Sequence, residues 1–377
     1  MKGPARYIIP SFVFFGFAFG FRLFYAFAPL HLQNLGLGQS GIGMIIAVYP
    51  MSMLVMSVPF GMMSDRFSPR TAAMAGLLVL SASIWALRGA DSFQSLFLCF
   101  MGIGTGVTMY TISAASLYFK SLGDTRKGVK LALFNSLNAL GYGAGPMAGS
   151  FILGAGRGMP ALFLASALVL LPFALLMRAA PDAAVAPVRA ADYVRDLRNP
   201  RARFLYLTIF VFALHFGVEN VCYALFLKYN CGIPEARIGV VFLCVGLAIV
   251  PSSLITGLVS DRAQRSDGLL ALGFALSGAF NAALFFVHSF WPVIALRVLH
   301  AVGDGIFLLY LDVAVARLFP AKRVGAPVGM RDMMRMGGMM CGSLLAGVIP
   351  GFSMPFLAVG LAGVAFAPLV YKYFRSM

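Results

Sequence analysis

Gly61-Met-Met-Ser-Asp65-Arg66-Phe-Ser-Pro-Arg70 is a short charged hairpin between two long apolar runs. It returns as Gly257-Leu-Val-Ser-Asp261-Arg262-Ala-Gln-Arg265. Gly61, Ser64, Asp65 and Arg66 each recur 196 positions later, as Gly257, Ser260, Asp261 and Arg262. In 377 residues this places one copy in each half. The chain therefore reads as a duplication.

The surrounding composition is that of a membrane protein. Hydrophobic residues make up 60% of the chain and charged residues only 11%, where a soluble globule carries about a quarter charged. The apolar residues come in unbroken runs of bilayer-spanning length. The first run continues past Tyr25 without a small-residue cleavage site, so no cleavable signal peptide is expected. The net charge of +16 is sorted by side. Lys2, Arg6, Arg66, Arg70, Lys120, Arg126, Lys127, Lys130, the 178–203 segment, Arg262, Arg265, Arg317, Lys322, Arg323, Lys372 and Arg375 fall in loops on one side. Arg88, Arg157, Lys228 and Arg237 fall on the other. This positive-inside asymmetry predicts a multi-pass protein of a bacterial-type plasma membrane with both termini in the cytoplasm. It explains the basic pI without nucleic acid. The five cysteines (Cys99, Cys222, Cys231, Cys244, Cys341) show no C-x-x-C spacing and read as buried thiols.

The runs predict twelve helices at 7–30, 40–63, 71–89, 93–118, 129–154, 159–178, 203–229, 237–260, 268–288, 291–318, 325–350 and 353–375. Helices are the economical reading because backbone in lipid must satisfy its own hydrogen bonds. The long polar stretch from Arg178 to Arg203, with Pro181, Pro187, Pro200 and six arginines, divides the chain. The predicted domains are a six-helix bundle at 1–178, a cytoplasmic linker at 179–202 and a second bundle at 203–377. Asp192 to Arg198 suits a short amphipathic surface helix. Further repeats support the division. Gly36 and Gly43 match Gly232 and Gly239 at an offset of 196, and Gly104/Gly106 align with Gly303/Gly305 at 199. Parallel six-helix repeats are a transporter architecture.

The chain resembles the major facilitator superfamily over its full length. The family's loop signature G-x-x-x-D-R-x-x-x-R stands here as Gly61, Asp65, Arg66 and Arg70. The second copy keeps Gly257, Asp261 and Arg262, but Ser266 replaces the last Arg. Gly141-Tyr-Gly-Ala-Gly145-Pro146-Met-Ala-Gly149 in the fifth helix is similar to an element of the family's antiporters. Leu98 stands in the fourth helix where many proton-coupled members carry Arg, and the 199 alignment puts Arg297 opposite it. The resemblance implies an all-helical fold of two pseudo-twofold-related bundles, with helices 1, 4, 7 and 10 around a central cavity. It also implies a cytoplasmic gate in which Gly61 allows close approach to the eleventh helix and Asp65 holds that helix's N-terminus.

Charged side chains inside a membrane cost at least about 2.5–3.5 kcal/mol each and need a partner or a wet cavity. Here they are Arg22 in the first helix, His215 and Glu219 in the seventh, and Arg297, His300 and Asp304 in the tenth, with Asp312 nearer the cytoplasm. Every one falls on a cavity helix. His215 and Glu219 are i, i+4, and Arg297, His300 and Asp304 are spaced three and four, so each set shares a face. Arg22 and Glu219 stand 197 apart at equivalent places in the two halves and are expected to approach across the cavity. Glu219 is the favoured proton carrier, with Asp304 held ionised by Arg297 on its own face. Arg331, Asp332 and Arg335 are expected at headgroups or the Asp65 loop.

These residues predict a secondary active transporter of a small organic solute, anionic or zwitterionic. It is expected to be proton-coupled, with antiport and efflux favoured, and to act as a monomer in the bilayer. Movement of lipids or lysolipids and a transceptor with little flux are the alternatives. An enzyme is not expected: His300-Ala-Val-Gly-Asp304 lacks the first Gly of the G-x-G-D of membrane aspartyl proteases. No H-E-x-x-H and no phosphate loop occur, so no metal, cofactor or ATP drive is expected.

Overall fold

The computed structural model describes residues 5–121, 127–180, 182, 200–262, 267–318 and 325–375. Twelve long helices run through it: α1 Ala5–Tyr25, α2 Gln39–Arg66, α3 Pro69–Ala86, α4 Phe93–Ser121, α5 Lys127–Gly154, α6 Gly158–Leu176, α7 Pro200–Leu225, α8 Glu235–Arg262, α9 Asp267–Ala283, α10 Phe290–Leu318, α11 Gly325–Val348 and α12 Met354–Arg375. The expected helix order holds, with local departures. The first run breaks at Ala26-Phe27 and resumes as Ala28–Asn34, where Pro29 suits the first turn of a new helix. α7 starts at Pro200, inside the expected linker, for the same reason. The proposed surface helix at 192–198 lies outside the described residues.

Ten of the helical segments are long and apolar enough to cross a membrane. α5 and α11 are long enough but too polar by that measure, because they carry Asn135, Asn138, Arg331, Asp332 and Arg335. Both helices sit between the halves. α5 packs along α8, and α11 along α2, in the two most extensive contacts between the bundles. These contacts are related by the duplication, since α2 repeats as α8 and α5 as α11. Within each half the pairings also match: α1 with α5 and α7 with α11, α3 with α4 and α9 with α10.

Glycine sets how close these helices come. A Cβ on Gly76 would meet the Tyr110 nitrogen at 2.5 Å, and one on Gly106 the Leu80 nitrogen at 2.6 Å. In the other half Gly273 meets the Gly303 carbonyl at 2.9 Å, and Gly303 meets the Ser277 nitrogen at 2.5 Å. The matching set Gly76, Leu80, Gly106 and Tyr110 against Gly273, Ser277, Gly303 and Phe307 has a uniform offset of 197. This corrects the 199 register. The counterpart of Arg297 is Phe100, and Leu98 lies on the outer surface, 61% exposed. Matching Gly-x-Gly by letter gives 199, whereas packing pairs Gly303 with Gly106 and Gly305 with Thr108.

The Gly141, Gly145 and Gly149 face of α5 seats on successive turns of α1. Their Cβ positions would lie 2.5, 2.4 and 2.6 Å from the carbonyl oxygens of Phe15, Phe19 and Leu23. Pro146 lies on the α8 side, its carbonyl 2.5 Å from a Cβ on Gly239. Gly145→Val is expected to lower stability by about 1–3 kcal/mol through overpacking against backbone. Gly38→Ala, at a site with nothing within 4 Å, is the neutral control. Thermal unfolding in detergent measures both, and equal melting temperatures would refute the close packing.

Of the cysteines, Cys222 is buried, and Cys99, Cys231, Cys244 and Cys341 are half-buried. Helices lining a lipid-facing surface leave even apolar thiols partly uncovered.

Candidate functional site

A cavity of about 210 Å³ lies between the halves. Phe14 and Arg22 of α1, Tyr49 of α2, Phe134 and Tyr142 of α5, Phe216 of α7 and Arg297 and Asp304 of α10 border it. Farther toward the end that carries the chain termini, Asp312, Arg331, Asp332 and Arg335 line it too. Helices α2, α5, α8 and α11 therefore contribute as much wall as α1, α4, α7 and α10. Residues on α5 and α11 reach the cavity because those helices sit at the seam.

The seam is bridged at both ends of the cavity. At the far end Gln39 donates to the Ala346 and Ile349 carbonyls at 2.6 and 2.7 Å. Ser150 donates to the Glu235 carbonyl at 2.7 Å. At the terminal end Asn135 donates to Asp312 at 2.8 Å, and the Val129 N–H donates to Asp261 at 3.1 Å. A carboxylate at the first turn of α5 is a favourable site for negative charge.

The second signature copy thus reaches across the halves through Asp261, with Gly257 buried and Arg262 exposed. In the first copy, Gly61 lies where α2 meets α11, its Cα 3.7 Å from a Cβ on Gly329. Asp65 and Arg66 end α2, and their side chains lie outside the described residues. Arg70 turns back into its own half, toward Asp182 at 4.0 Å and the Ala180 carbonyl at 3.4 Å.

The membrane-embedded charges converge more tightly than their spacing predicts, and with different partners. Arg297 donates to both oxygens of Glu219, at 2.5 and 3.1 Å, with both side chains buried. Its guanidinium lies over the Tyr223 ring, 4.3 Å from the centroid. Asp304 instead accepts from the Ser277 hydroxyl at 2.7 Å. It lies 3.2 Å from His300 Nε2 and 3.5 Å from His215 Nε2. His300 Nε2 also lies 2.9 Å from Glu219, and its Nδ1 is 2.8 Å from the Ser277 carbonyl. His215 Nδ1 faces the Phe212 carbonyl at 2.5 Å.

One expectation is corrected by these contacts. Arg297 holds Glu219, not Asp304. Residues 297 and 304 share a face but are separated by about 10.5 Å of helix rise, whereas His300 is one turn from Asp304. Arg22 and Glu219, expected to approach in at least one state, stand near each other in this one without pairing. Both line one small cavity, but Arg297 already fills the Glu219 carboxylate, and Arg22 lies over the Tyr142 ring at 4.2 Å.

A second correction concerns α11. Arg331 pairs with Asp312 and, at 3.0 Å, with Asp332, and Arg335 lies 3.3 Å from Asp332. Asp332 is only 1% exposed. Four charges that cancel in pairs can sit inside the bundle, where single ones would seek headgroups. Ser277, Tyr142 and Tyr223 carry no signal that sets them apart from ordinary helix residues, save that Tyr223 follows Glu219 by one turn.

Ligand atoms of His215, His300 and Asp304 lie within 4.8 Å of one another. His300, however, meets acceptors at both ring nitrogens, and Arg297 adjoins it through Glu219. A metal ion there would need a ring lone pair turned away from these oxygens.

The family model of the Major Facilitator Superfamily matches residues 11–221 and again 205–376. The chain belongs to the Major Facilitator Superfamily. Its fold agrees with the crystal structure of the human organic anion transporter MFSD10 (TETRAN), with a TM-score of 0.76 over 99% of this chain and 100% of that one, at 16% identity. Among curated relatives, Multidrug resistance protein 2 of Bacillus subtilis (strain 168) is 23% identical over 268 residues, 68% of this chain. Quinolone resistance protein NorA of Staphylococcus aureus is 25% identical over 145 residues, 38% of this chain. The matched segments span 66% and 37% of those relatives' lengths. This chain is a multi-pass membrane protein of that family.

The 197 register shows how the halves have diverged. The counterparts of Ser277, Arg297, His300 and Asp304 are Leu80, Phe100, Ile103 and Val107. Along α1 and α7 the packing offset is 195, because Gly141 and Gly145 meet the Phe15 and Phe19 carbonyls where Gly338 and Gly342 meet those of Phe210 and Leu214, so Glu219 answers to Phe24 and Arg22 has no ionisable counterpart. The C-terminal bundle holds a buried ionic network, and the N-terminal bundle offers one cation among aromatic rings.

Proposed function

We propose that this transporter exports a small organic solute bearing negative charge, in exchange for protons. The observation that carries the reading is the juxtaposition of an aromatic cavity with the Glu219–Arg297–His300–Asp304 network. Asp304 and His300 hold the transported proton, and Glu219, clamped by two bonds from Arg297, stays ionised. This reverses the preference drawn from spacing alone. His300 Nε2 lies 2.9 and 3.2 Å from the Glu219 and Asp304 carboxylates, and its Nδ1 lies 2.8 Å from the Ser277 carbonyl, so the ring stands where a proton can be shared with either acid. Proton loss would leave Asp304 and Glu219 facing each other across a neutral imidazole. That is a strong bias between two conformations that differ by a few kcal/mol.

Export is supported by two relatives named for drug resistance, and negative charge on the solute by Arg22. The positive-inside pattern supports a plasma-membrane protein with the terminal end in the cytoplasm. Asp261 on α5, and by symmetry Asp65 on α11, are the latches of the cytoplasmic gate, with Gly61 and Gly257 at the helix contacts. A monomer in the bilayer suffices, since both halves are in one chain.

The test is transport by purified protein in proteoliposomes under an imposed pH gradient, with compounds chosen by thermal shift. Solute flux is expected to follow the gradient and to move protons in the opposite direction. Flux indifferent to the gradient would remove proton coupling. Binding without counterflow would favour a transceptor.

A further inference from the structure

We infer that the substrate is an aromatic monoanion whose acidic group binds in the pocket formed by Arg22, Tyr25, Asn220 and Tyr223, with its ring in the adjoining cavity. This rests on the transporter reading and specifies its substrate class.

Arg22 is the one charged side chain of the cavity wall left over after pairing. Arg297 has Glu219, Asp304 has the histidines, Arg331 has Asp312, and Arg335 has Asp332. Among the described residues no carboxylate lies within ion-pair distance of Arg22, whose neighbours are the rings of Phe21, Tyr25 and Tyr142. An uncompensated cation at membrane depth is costly and marks a place where a charge is received.

The second observation is independent of charge. A small cavity of about 10 Å³ opens beside Arg22 and is bordered by Tyr25, Asn220 and Tyr223. The Tyr25 and Tyr223 hydroxyls and the Asn220 amide nitrogen are all buried without a hydrogen-bond partner. Tyr25 and Tyr223 are each 1% exposed. Unpaired buried polar groups are costly, so three of them around one void mark it as a place that receives a polar group. With Arg22 they form a set rich in donors, which suits acceptor oxygens. The void admits a single oxygen or water, the size of one carboxylate oxygen. Glu219 borders the same space, but Arg297 neutralises it.

Arg22 and Tyr142 line both this pocket and the large cavity, so a bound anion would extend from one into the other. The large cavity there is walled by Phe14, Phe134, Tyr49 and Phe216. Phe14 and Phe134 stack at 4.3 Å and Tyr118 stacks on Phe134 at 4.2 Å, a cluster against which a further ring can pack by its edges. A cavity of about 150 Å³ holds benzene, and the whole cavity, from Arg22 to Arg335, has about 210 Å³, enough for an aromatic ring in its Phe-lined part.

The experiment is equilibrium binding to the full chain in detergent, by calorimetry, with 2-naphthoate, neutral 2-naphthamide, cationic 2-naphthylmethylammonium and acetate. The expected result is naphthoate binding at least 10-fold tighter than any of the other three. Arg22→Gln should weaken naphthoate at least 10-fold, and Arg22→Lys less than that. If Arg22→Gln does not fold, the Tyr25→Phe/Tyr223→Phe chain removes only the two hydroxyls and should weaken naphthoate several-fold. Equal binding of the amide or the ammonium, no naphthoate binding to the unmodified chain, or unchanged affinity in the folded variants would overturn the proposal. The measurement uses no gradient, so loss of proton coupling leaves it standing, and its failure leaves transport untouched.

Discussion

Arg297→Met is expected to destabilise the protein by about 3–5 kcal/mol, the cost of leaving Glu219 charged and unpartnered in a dry interior. Arg297 is 1% exposed and makes two bonds to one carboxylate, so no water can take its place. Glu219→Gln added to Arg297→Met removes the stranded charge and is expected to restore half or more of the loss. Thermal unfolding in detergent measures the two single variants and the double variant. If the double variant melts no higher than Arg297→Met, the pair is not the source of the cost. The two clusters also separate here. Asp304 keeps Ser277 and His215 in every one of these variants, so its environment is disturbed only through His300.

Much of the architecture is legible in the sequence because it is written twice. The 196-residue recurrence of Gly-x-x-Ser-Asp-Arg fixes the duplication and hence which helices are equivalent. Lengths of apolar run fix the helices, since a bilayer allows few other structures. The candidate site is legible only as a set of residues. His215, Glu219, Arg297, His300 and Asp304 stand out because charge is rare at their depth, and all five meet in space. Their pairing is not legible. Face-sharing on α10 puts Arg297 and Asp304 in line, but their separation along the axis exceeds side-chain reach, and the partner comes from α7. Ser277 is invisible for a simpler reason: a lone serine in an apolar helix usually bonds its own backbone, as Thr108 does with the Gly104 carbonyl at 2.6 Å. The α11 charges mislead because their compensation by Asp312 depends on a helix contact.

Asp304→Asn is expected to abolish transport driven by a pH gradient, by 100-fold or more, while solute exchange at equal pH stays within a few-fold of the unmodified chain. The amide still accepts from Ser277 and keeps the shape of the site, so the stability loss should be small beside that of Arg297→Met. What it removes is the group that shares a proton with His300. In an antiporter the proton-loaded and solute-loaded states alternate. A site that cannot exchange its proton can still swap one solute for another but cannot convert a gradient into net flux. Arg22→Gln should do the opposite, weakening the solute step while leaving the proton site intact, because no described contact links Arg22 to His300 or Asp304. The two variants in one proteoliposome preparation, read by counterflow and by pH-driven flux, separate the roles of the halves. If Asp304→Asn retains gradient-driven flux, the proton is carried elsewhere. If both variants lose exchange equally, the division of labour between the C-terminal network and the N-terminal cation does not hold.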